Sequence, residues 1–290
     1  MEKYVLINPN SFNMEHIFEC GQCFRWNKQE DNSYIGVVKN AVIKVKKEND
    51  NIVFTGSCNG ENFEELIKDY FDLNTNYEEY KSKLSQIDEY MKESIQFGNG
   101  IRILNQDLWE CIISFIISAN NNIPRIKKII ERISEKYGKA IEFEGKIYYT
   151  FPDIQELSKA SVQDLRELGL GFRDIRVYNT THMILNNDIN LDKIKNMKST
   201  LQMKEELLKL DGVGPKVADC ILLFSLKRLD AFPIDVWVRR VMNDLYIHND
   251  DENKVNKKQL QLLAEEKFLG LAGIAQQYLF YWKREQEKNA

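Results

Sequence analysis

The chain has 290 residues, 43% hydrophobic and 29% charged, which suits an ordinary globular protein of about two domains with enough apolar material for a substantial core. No apolar run reaches the roughly 18 to 20 residues of a membrane span, and the opening MEKYVLINPN lacks a signal peptide's apolar centre, so a cytoplasmic protein is expected, nucleoid-associated if bacterial. The net charge of −4 speaks against a nucleic-acid partner only if charge is spread evenly, and five cysteines, an odd number, argue against a secreted disulfide framework.

Residues 1 to about 58 read as β structure. The segments 34–38 (YIGVV), 41–46 (AVIKVK) and 51–54 (NIVF) are short β-branched runs separated by Asn and Asp turns, the pattern of an antiparallel meander. Within this region Cys20-Gly21-Gln22-Cys23 has the spacing of a zinc or redox pair. A metal would need further ligands, yet Cys58, Cys111 and Cys220 are isolated and His16, His182 and His248 are far apart, so no metal or other cofactor is expected. Gly21 by itself is equally a plain turn residue.

From Phe63 onward the period changes. Phe63, Leu66, Ile67, Tyr70 and Phe71 fall on one helical face, and helix is expected to follow helix to the C-terminus. The expected class is therefore α+β: an N-terminal antiparallel β-sheet domain with flanking helices, residues 1–98, packed on a mostly α-helical body, residues 99–290. Charge is uneven along it: residues 61–97 hold ten acidic and four basic side chains, residues 124–139 six basic and two acidic. A basic run of that kind also describes a plain solvated helix face.

Residues 106–119 (QDLWECIISFIISA) are apolar nearly all round and predict a central core helix. It ends at Asn120-Asn121-Asn122, good loop residues, before Pro124 opens a helix with Ile126, Ile129, Ile130 and Ile133 inward. Residues 165–177 (LRELGLGFRDIRV) form a glycine-marked turn that is expected to present the ring of Phe172 and the guanidinium of Arg173 at its tip. A core phenylalanine beside a surface arginine would give the same string.

The most specific stretch is 199–246, with a helix-hairpin-helix at 199–227. Leu201, Leu207, Leu208 and Leu210 predict one helical stripe, and Gly212-Val213-Gly214 turns the chain before Pro215 starts a second helix faced by Val217, Ala218, Ile221, Leu222 and Phe224. Glycines at a helix start leave main-chain N–H groups open to a phosphate. Lys216 in that first turn is opposed by the helix dipole and by burial, so its pKa is expected to be depressed, the condition of a nucleophilic amine. After Pro233, Asp235 takes the N-cap position of the next helix and can face Lys216. Read singly, these two are a surface lysine and a cap. Near the C-terminus, Gln276 and Phe280 lie one helical turn apart, and Cys220 lies one turn beyond Lys216.

LDGVGPKVADC, followed some twenty residues on by proline and aspartate, resembles the helix-hairpin-helix, Gly-Pro-Asp superfamily of base-excision DNA glycosylases. The hairpin lysine is similar to that of bifunctional members, and GQCFRW, NNNIPRI and GIAQQYLF resemble segments of the 8-oxoguanine DNA glycosylase/lyases. The likeness runs from about residue 12 to residue 283. It implies a monomer acting on double-stranded DNA that contains oxidised guanine, with Lys216 as nucleophile and Asp235 steadying the sugar cation. By the same resemblance the Gly21 carbonyl meets the N7–H that 8-oxoguanine has and guanine lacks. Gln276 would read the Watson–Crick edge, and Phe280 and Cys220 would sandwich the base. Asn120 and Arg125 would fill the gap left by the flipped base, with Phe172 wedged beside its partner and Arg173 following. Gly212, Val213 and Gly214 would hold phosphate.

Two departures stand out. Phe172 replaces the family's tyrosine and lacks its hydroxyl, and Trp237 stands where related enzymes carry a histidine near a phosphate. On residues alone two other readings remain open, an alkylpurine glycosylase of the same superfamily and a noncatalytic hairpin module that binds DNA.

Overall fold

A computed structural model describes residues 1–60, 62–251 and 254–289. Five strands, β1 (Glu2–Leu6), β2 (Trp26–Lys28), β3 (Tyr34–Val38), β4 (Ala41–Glu48) and β5 (Asn51–Cys58), form an antiparallel sheet in the order β1-β5-β4-β3-β2. Register places Tyr34 beside Val45 and Val45 beside Phe54, so one row of large apolar side chains crosses three strands and faces the sheet's core. The three strands expected from sequence are present, and β1 and β2 extend them. The stretch is not all β, however. Helix α1 (Met14–Glu19) interrupts it, because the side chain of Asn13 accepts from the N–H groups of Glu15 and His16 while Ile17 and Phe18 turn into the core.

Helices α2 (Phe63–Tyr70), α3 (Tyr77–Ser85) and α4 (Glu89–Phe97) lead to α5 (Leu108–Ser118) and α6 (Ile123–Tyr137). Helix α5 is the predicted central helix: Ile112, Ile113, Ile116 and Ile117 are enclosed. The expectation of helix after helix fails at β6 (Ala140–Phe143) and β7 (Lys146–Tyr149), a two-stranded hairpin. There the Glu144-Gly145 turn, both residues at positive φ, reverses the chain, and Ile141 and Phe143 bury against the outer face of the sheet.

Short helices α7 (Ile154–Leu157) and α8 (Val162–Glu167) precede α9 (Asp174–Leu185), α10 (Leu191–Lys195), α11 (Thr200–Leu207), α12 (Pro215–Ser225), α13 (Val236–Met242), α14 (Lys257–Lys267) and α15 (Ala272–Asn289). On α11 the buried residues are Met203 and Leu207, with Leu210 just beyond, whereas Leu201 and Leu208, expected on the same stripe, are 65% and 40% exposed. Only one side of this helix is covered, and positions 201 and 208 fall outside it.

Besides the small cluster on the outer face of the sheet, the described residues form two large apolar cores, one on the sheet's inner face and one among the helices, and the segment 20–26 threads between these two. Cys20 and Phe24 enter the helical core while Cys23 and Trp26 enter the sheet core. Buried Gln22 locks the crossing: its Nε2 donates to the carbonyls of Ile17 (2.9 Å) and Arg102 (2.7 Å), and its Oε1 accepts from the N–H of Leu104 (2.8 Å). Gly21, at φ 88°, is held at the surface of the helical body by its neighbour's hydrogen bonds. Among the described residues, no helix is long and apolar enough to cross a membrane.

Candidate active site and DNA-facing loops

The hairpin between α11 and α12 is built on a residue that must be glycine. Gly212 has φ 84°, and a Cβ there would come within 3.0 Å of Arg176 and 3.1 Å of Ile116. The turn is tied to α9, where Thr180 Oγ1 donates to the Asp211 carbonyl (2.7 Å) and Asn179 Nδ2 to the Asp211 carboxylate (2.7 Å). Gly214 is the N-cap of α12 and supplies no capping side chain, so the first turn keeps open N–H groups at the positive end of the helix. Val213 does not join them. Its N–H donates to the Leu210 carbonyl (3.1 Å) and its side chain is buried, because the turn closes on itself before the helix begins. Of the expected 212–214 stretch, Gly214 opens onto the uncapped first turn of α12, and Gly212 shapes the bend.

Lys216 stands in that first turn, its Nζ 5.5 Å from the centroid of the Phe115 ring. The expected depression of its pKa is corrected by the surroundings. The Cys220 sulfur most of all, and the Asp235 carboxylate after it, raise the pKa above the ordinary lysine value against the pull of burial. Burial pushes the Cys220 thiol itself up to about 11, so at neutral pH it is uncharged and Asp235 is the anion that faces the ammonium. The face of the Phe115 ring favours the same charged form. Asp235 holds its place as the N-cap of α13, accepting from the N–H of Val238 at 2.8 Å.

Lys216, Cys220 and Asp235 line one pocket with Gly21, Gln276 and Phe280, a space of about 50 Å³. The segment 20–26, α12, the turn before α13 and α15 thus converge, over a span of more than 250 residues of sequence, on one small volume. The Phe280 ring meets Trp237 edge-on, with centroids 4.8 Å apart at 70°, and the Arg284 guanidinium lies 5.4 Å from its centroid. Trp237, expected near a phosphate, is half-buried, and its indole backs the pocket through Phe280. Sequence reading also passed over Phe115, whose ring lies beneath Lys216, and Gln277, which lines the same pocket beside Gln276. The doubled glutamine in GIAQQYLF was the available signal for the latter.

A second group of residues lies at the ends of α5 and α6. Of the three asparagines, Asn121 donates to the Ile117 carbonyl (3.0 Å) and Asn122 caps α6 by accepting from the N–H of Arg125 (3.0 Å). Asn120 is left exposed at the tip with φ 50°. Arg125 is exposed, with Nη2 donating to the Gly169 carbonyl at 3.2 Å, and Phe172 is 53% exposed. Arg173 is not at the tip. It is 2% exposed, its Nε donating to the Ala119 carbonyl (2.8 Å), Nη2 to Asn120 (2.7 Å) and Nη1 to Leu170 (3.2 Å). The cause is the end of α5, whose last carbonyls have no helical partner and receive the forked guanidinium instead. Arg173 therefore stitches the two loops together and stands 4.2 Å under the Phe172 ring.

Residues 113–266, more than half of the chain, match the model of the HhH-GPD superfamily base excision DNA repair proteins. The chain belongs to this superfamily. Residues 4–112 match the 8-oxoguanine DNA glycosylase N-terminal domain. A probable N-glycosylase/DNA lyase of Methanothermobacter thermautotrophicus is 34% identical over 74% of this chain and 73% of its own. The crystal structure of Clostridium acetobutylicum 8-oxoguanine glycosylase/lyase, in complex with double-stranded DNA containing cytosine opposite 8-oxoG, is 44% identical with a TM-score of 0.92, covering 99% of this chain and 98% of that one. A 3-methyladenine DNA glycosylase of Archaeoglobus fulgidus shares the fold at a TM-score of 0.78 and 21% identity, over 97% and 98% of the two chains. In this HhH-GPD protein the hairpin, Lys216 and Asp235 all fall inside the superfamily match, while Gly21 lies in the N-terminal match.

Proposed function

We propose that this protein is a bifunctional DNA glycosylase/lyase that removes 8-oxoguanine from duplex DNA, acting as a monomer. The observation that carries the reading is the meeting of Lys216 and Asp235 in one pocket with Gly21, Gln276 and Phe280, all from a single chain. A base can be attacked only after it leaves the stack. The open N–H groups at the start of α12 hold backbone phosphate, while Asn120 and Phe172 occupy the vacated space and Arg125 reaches the partner base. In the pocket the Gly21 carbonyl favours the N7–H of the oxidised base over the N7 acceptor of guanine, a contrast worth on the order of a few kcal/mol.

Lys216 must lose a proton before it can act. The amine then bonds to C1′ as the C1′–N9 bond breaks and the electron pair leaves with the base, which takes up a proton. Asp235 lowers the energy of the positive charge that develops on the sugar. Opening of the sugar ring gives a protonated imine. Loss of a C2′ proton then expels the 3′ phosphate, and water frees the lysine. An alkylpurine glycosylase would need neither the lysine nor a carbonyl aimed at N7–H.

The test is a product analysis on a duplex with 8-oxoguanine opposite cytosine. Free base together with a strand ending in a 3′ unsaturated aldehyde is expected. Release of 3-methyladenine but not of 8-oxoguanine, or binding with neither product, would overturn the assignment.

A further inference from the structure

Gln277 lines the base pocket and is 4% exposed, yet its Oε1 is buried without a hydrogen-bond partner. Its Nε2 donates to Oε1 of Gln276 at 3.0 Å. Consecutive residues on a helix point about 100° apart, so two neighbours rarely serve one pocket. Here the amide–amide bond brings Gln277 round to Gln276. A buried acceptor left unpaired is unfavourable, and one beside a ligand pocket is satisfied when the ligand brings a donor. The Watson–Crick edge of 8-oxoguanine offers two neighbouring donors, N1–H and the 2-amino group. Gln276 presents one amide oxygen, already sharing a lone pair with Gln277. Because Nε2 and Oε1 of Gln277 share a carbon, its free oxygen lies one amide group away from that of Gln276.

We propose that Gln277 is a second reader of the base, a specificity-determining residue whose Oε1 accepts from the 2-amino group while its Nε2 fixes the oxygen of Gln276 for N1–H. The pair then presents two acceptors to two donors. A base that lacks the 2-amino group leaves Oε1 unpaired, and a base with an acceptor on that edge, as in the adenine series, meets an oxygen where it needs a donor. This assignment rests on the 8-oxoguanine reading above.

The experiment compares single-turnover base release from two duplexes, one with 8-oxoguanine and one with 8-oxohypoxanthine, the same base without the 2-amino group, each opposite cytosine. The native protein is expected to prefer 8-oxoguanine by about tenfold, the worth of one hydrogen bond to a buried acceptor. In Gln277→Leu that preference is expected to collapse to near unity. Retention of the native ratio in the variant, whether or not both rates fall together, overturns the proposal and leaves Gln277 a packing residue or the site of a water. Borohydride trapping on a plain abasic duplex, which has no base to read, monitors the fold. If trapping is lost in Gln277→Leu, the ratio is taken from Gln277→Met, and loss in both variants assigns the residue to packing and overturns the proposal. A native protein that traps abasic DNA yet releases neither base overturns the 8-oxoguanine reading itself, a result distinct from any change in the ratio.

Discussion

The proposed base pocket and the proposed gap-filling loops solve opposite problems near the same, C-terminal end of α5, where Phe115 underlies Lys216 and the carbonyls of Ala119 and Asn120 receive Arg173. In the pocket, the side chains proposed to do chemistry are half-buried, and nearly everything around Lys216 is apolar or uncharged except Asp235. At the loops the groups proposed to enter the duplex, Asn120 and Phe172, are exposed, and the enclosed side chain is the arginine beneath them. Burial in the first region sets protonation and fit. In the second it sets position. An arginine in a DNA-facing string is thus not evidence of DNA contact until its donors have been counted.

The contrast is sharpest at Asp235. Asp235→Asn keeps the cap on α13 and removes the charge, so turnover is expected to fall by a factor of ~10² or more while DNA affinity stays within about threefold. Equal losses in rate and affinity would place Asp235 in binding alone. The sign of the accompanying pH effect follows from Lys216, whose pKa is raised partly by that carboxylate. The active amine appears as pH rises, so trapping at an abasic site should accelerate with pH, and in the variant this rise should move to lower pH.

At the loops, Arg173→Lys keeps the charge but loses the fork that reaches three carbonyls. Base release is expected to slow by roughly tenfold, by the same factor whichever base stands opposite the lesion, consistent with about 1.4 kcal/mol of lost positioning. Arg125→Ala should instead change the ratios among opposite bases. A loss in Arg173→Lys confined to cytosine-opposed duplexes would make Arg173 a contact to the opposite base instead.

How much of this was legible in sequence follows the same division. The hairpin, the cap at Asp235 and the core helix α5 were readable because local patterns dictate them: glycine at a positive φ, proline at a helix start, an all-round apolar run. The small hairpin β6–β7 was missed because four-residue strands carry too little periodicity. The direction of the Lys216 shift was missed for a different reason. Sequence shows the helix dipole and suggests burial, but the balance turns on Cys220, Asp235 and Phe115, which only the fold assembles. Arg173 was misplaced because a three-residue 3₁₀ turn at Gly171–Arg173 carries it inward beneath the Phe172 ring, onto the carbonyls at the end of α5.

Helix α5 also offers a probe that leaves both regions' contacts alone. Burial pushes the Glu110 carboxyl up to about 7, against the opposing pull of Arg25. A carboxyl with a raised folded-state pKa binds its proton more tightly folded than unfolded, so stability is fullest at low pH and falls as pH rises from the ordinary value through about 7. Glu110→Gln should flatten that fall and, at pH 8, stabilise the protein by on the order of 1–3 kcal/mol in denaturant unfolding. An unchanged pH profile would show that Glu110 is solvated. The smallest effect is expected at the wedge. Phe172→Ala should weaken binding to lesion duplex by ~1 kcal/mol and leave stability within about 0.5 kcal/mol, whereas a large loss of stability would make the ring part of the core.

The most direct test of the central claim is borohydride reduction during incubation with an 8-oxoguanine duplex, followed by mass mapping of the cross-linked peptide. The expected result is one DNA adduct on Lys216, absent in Lys216→Gln, although that variant still binds the duplex. An adduct on another residue, or full base release and strand cleavage by Lys216→Gln, would contradict it.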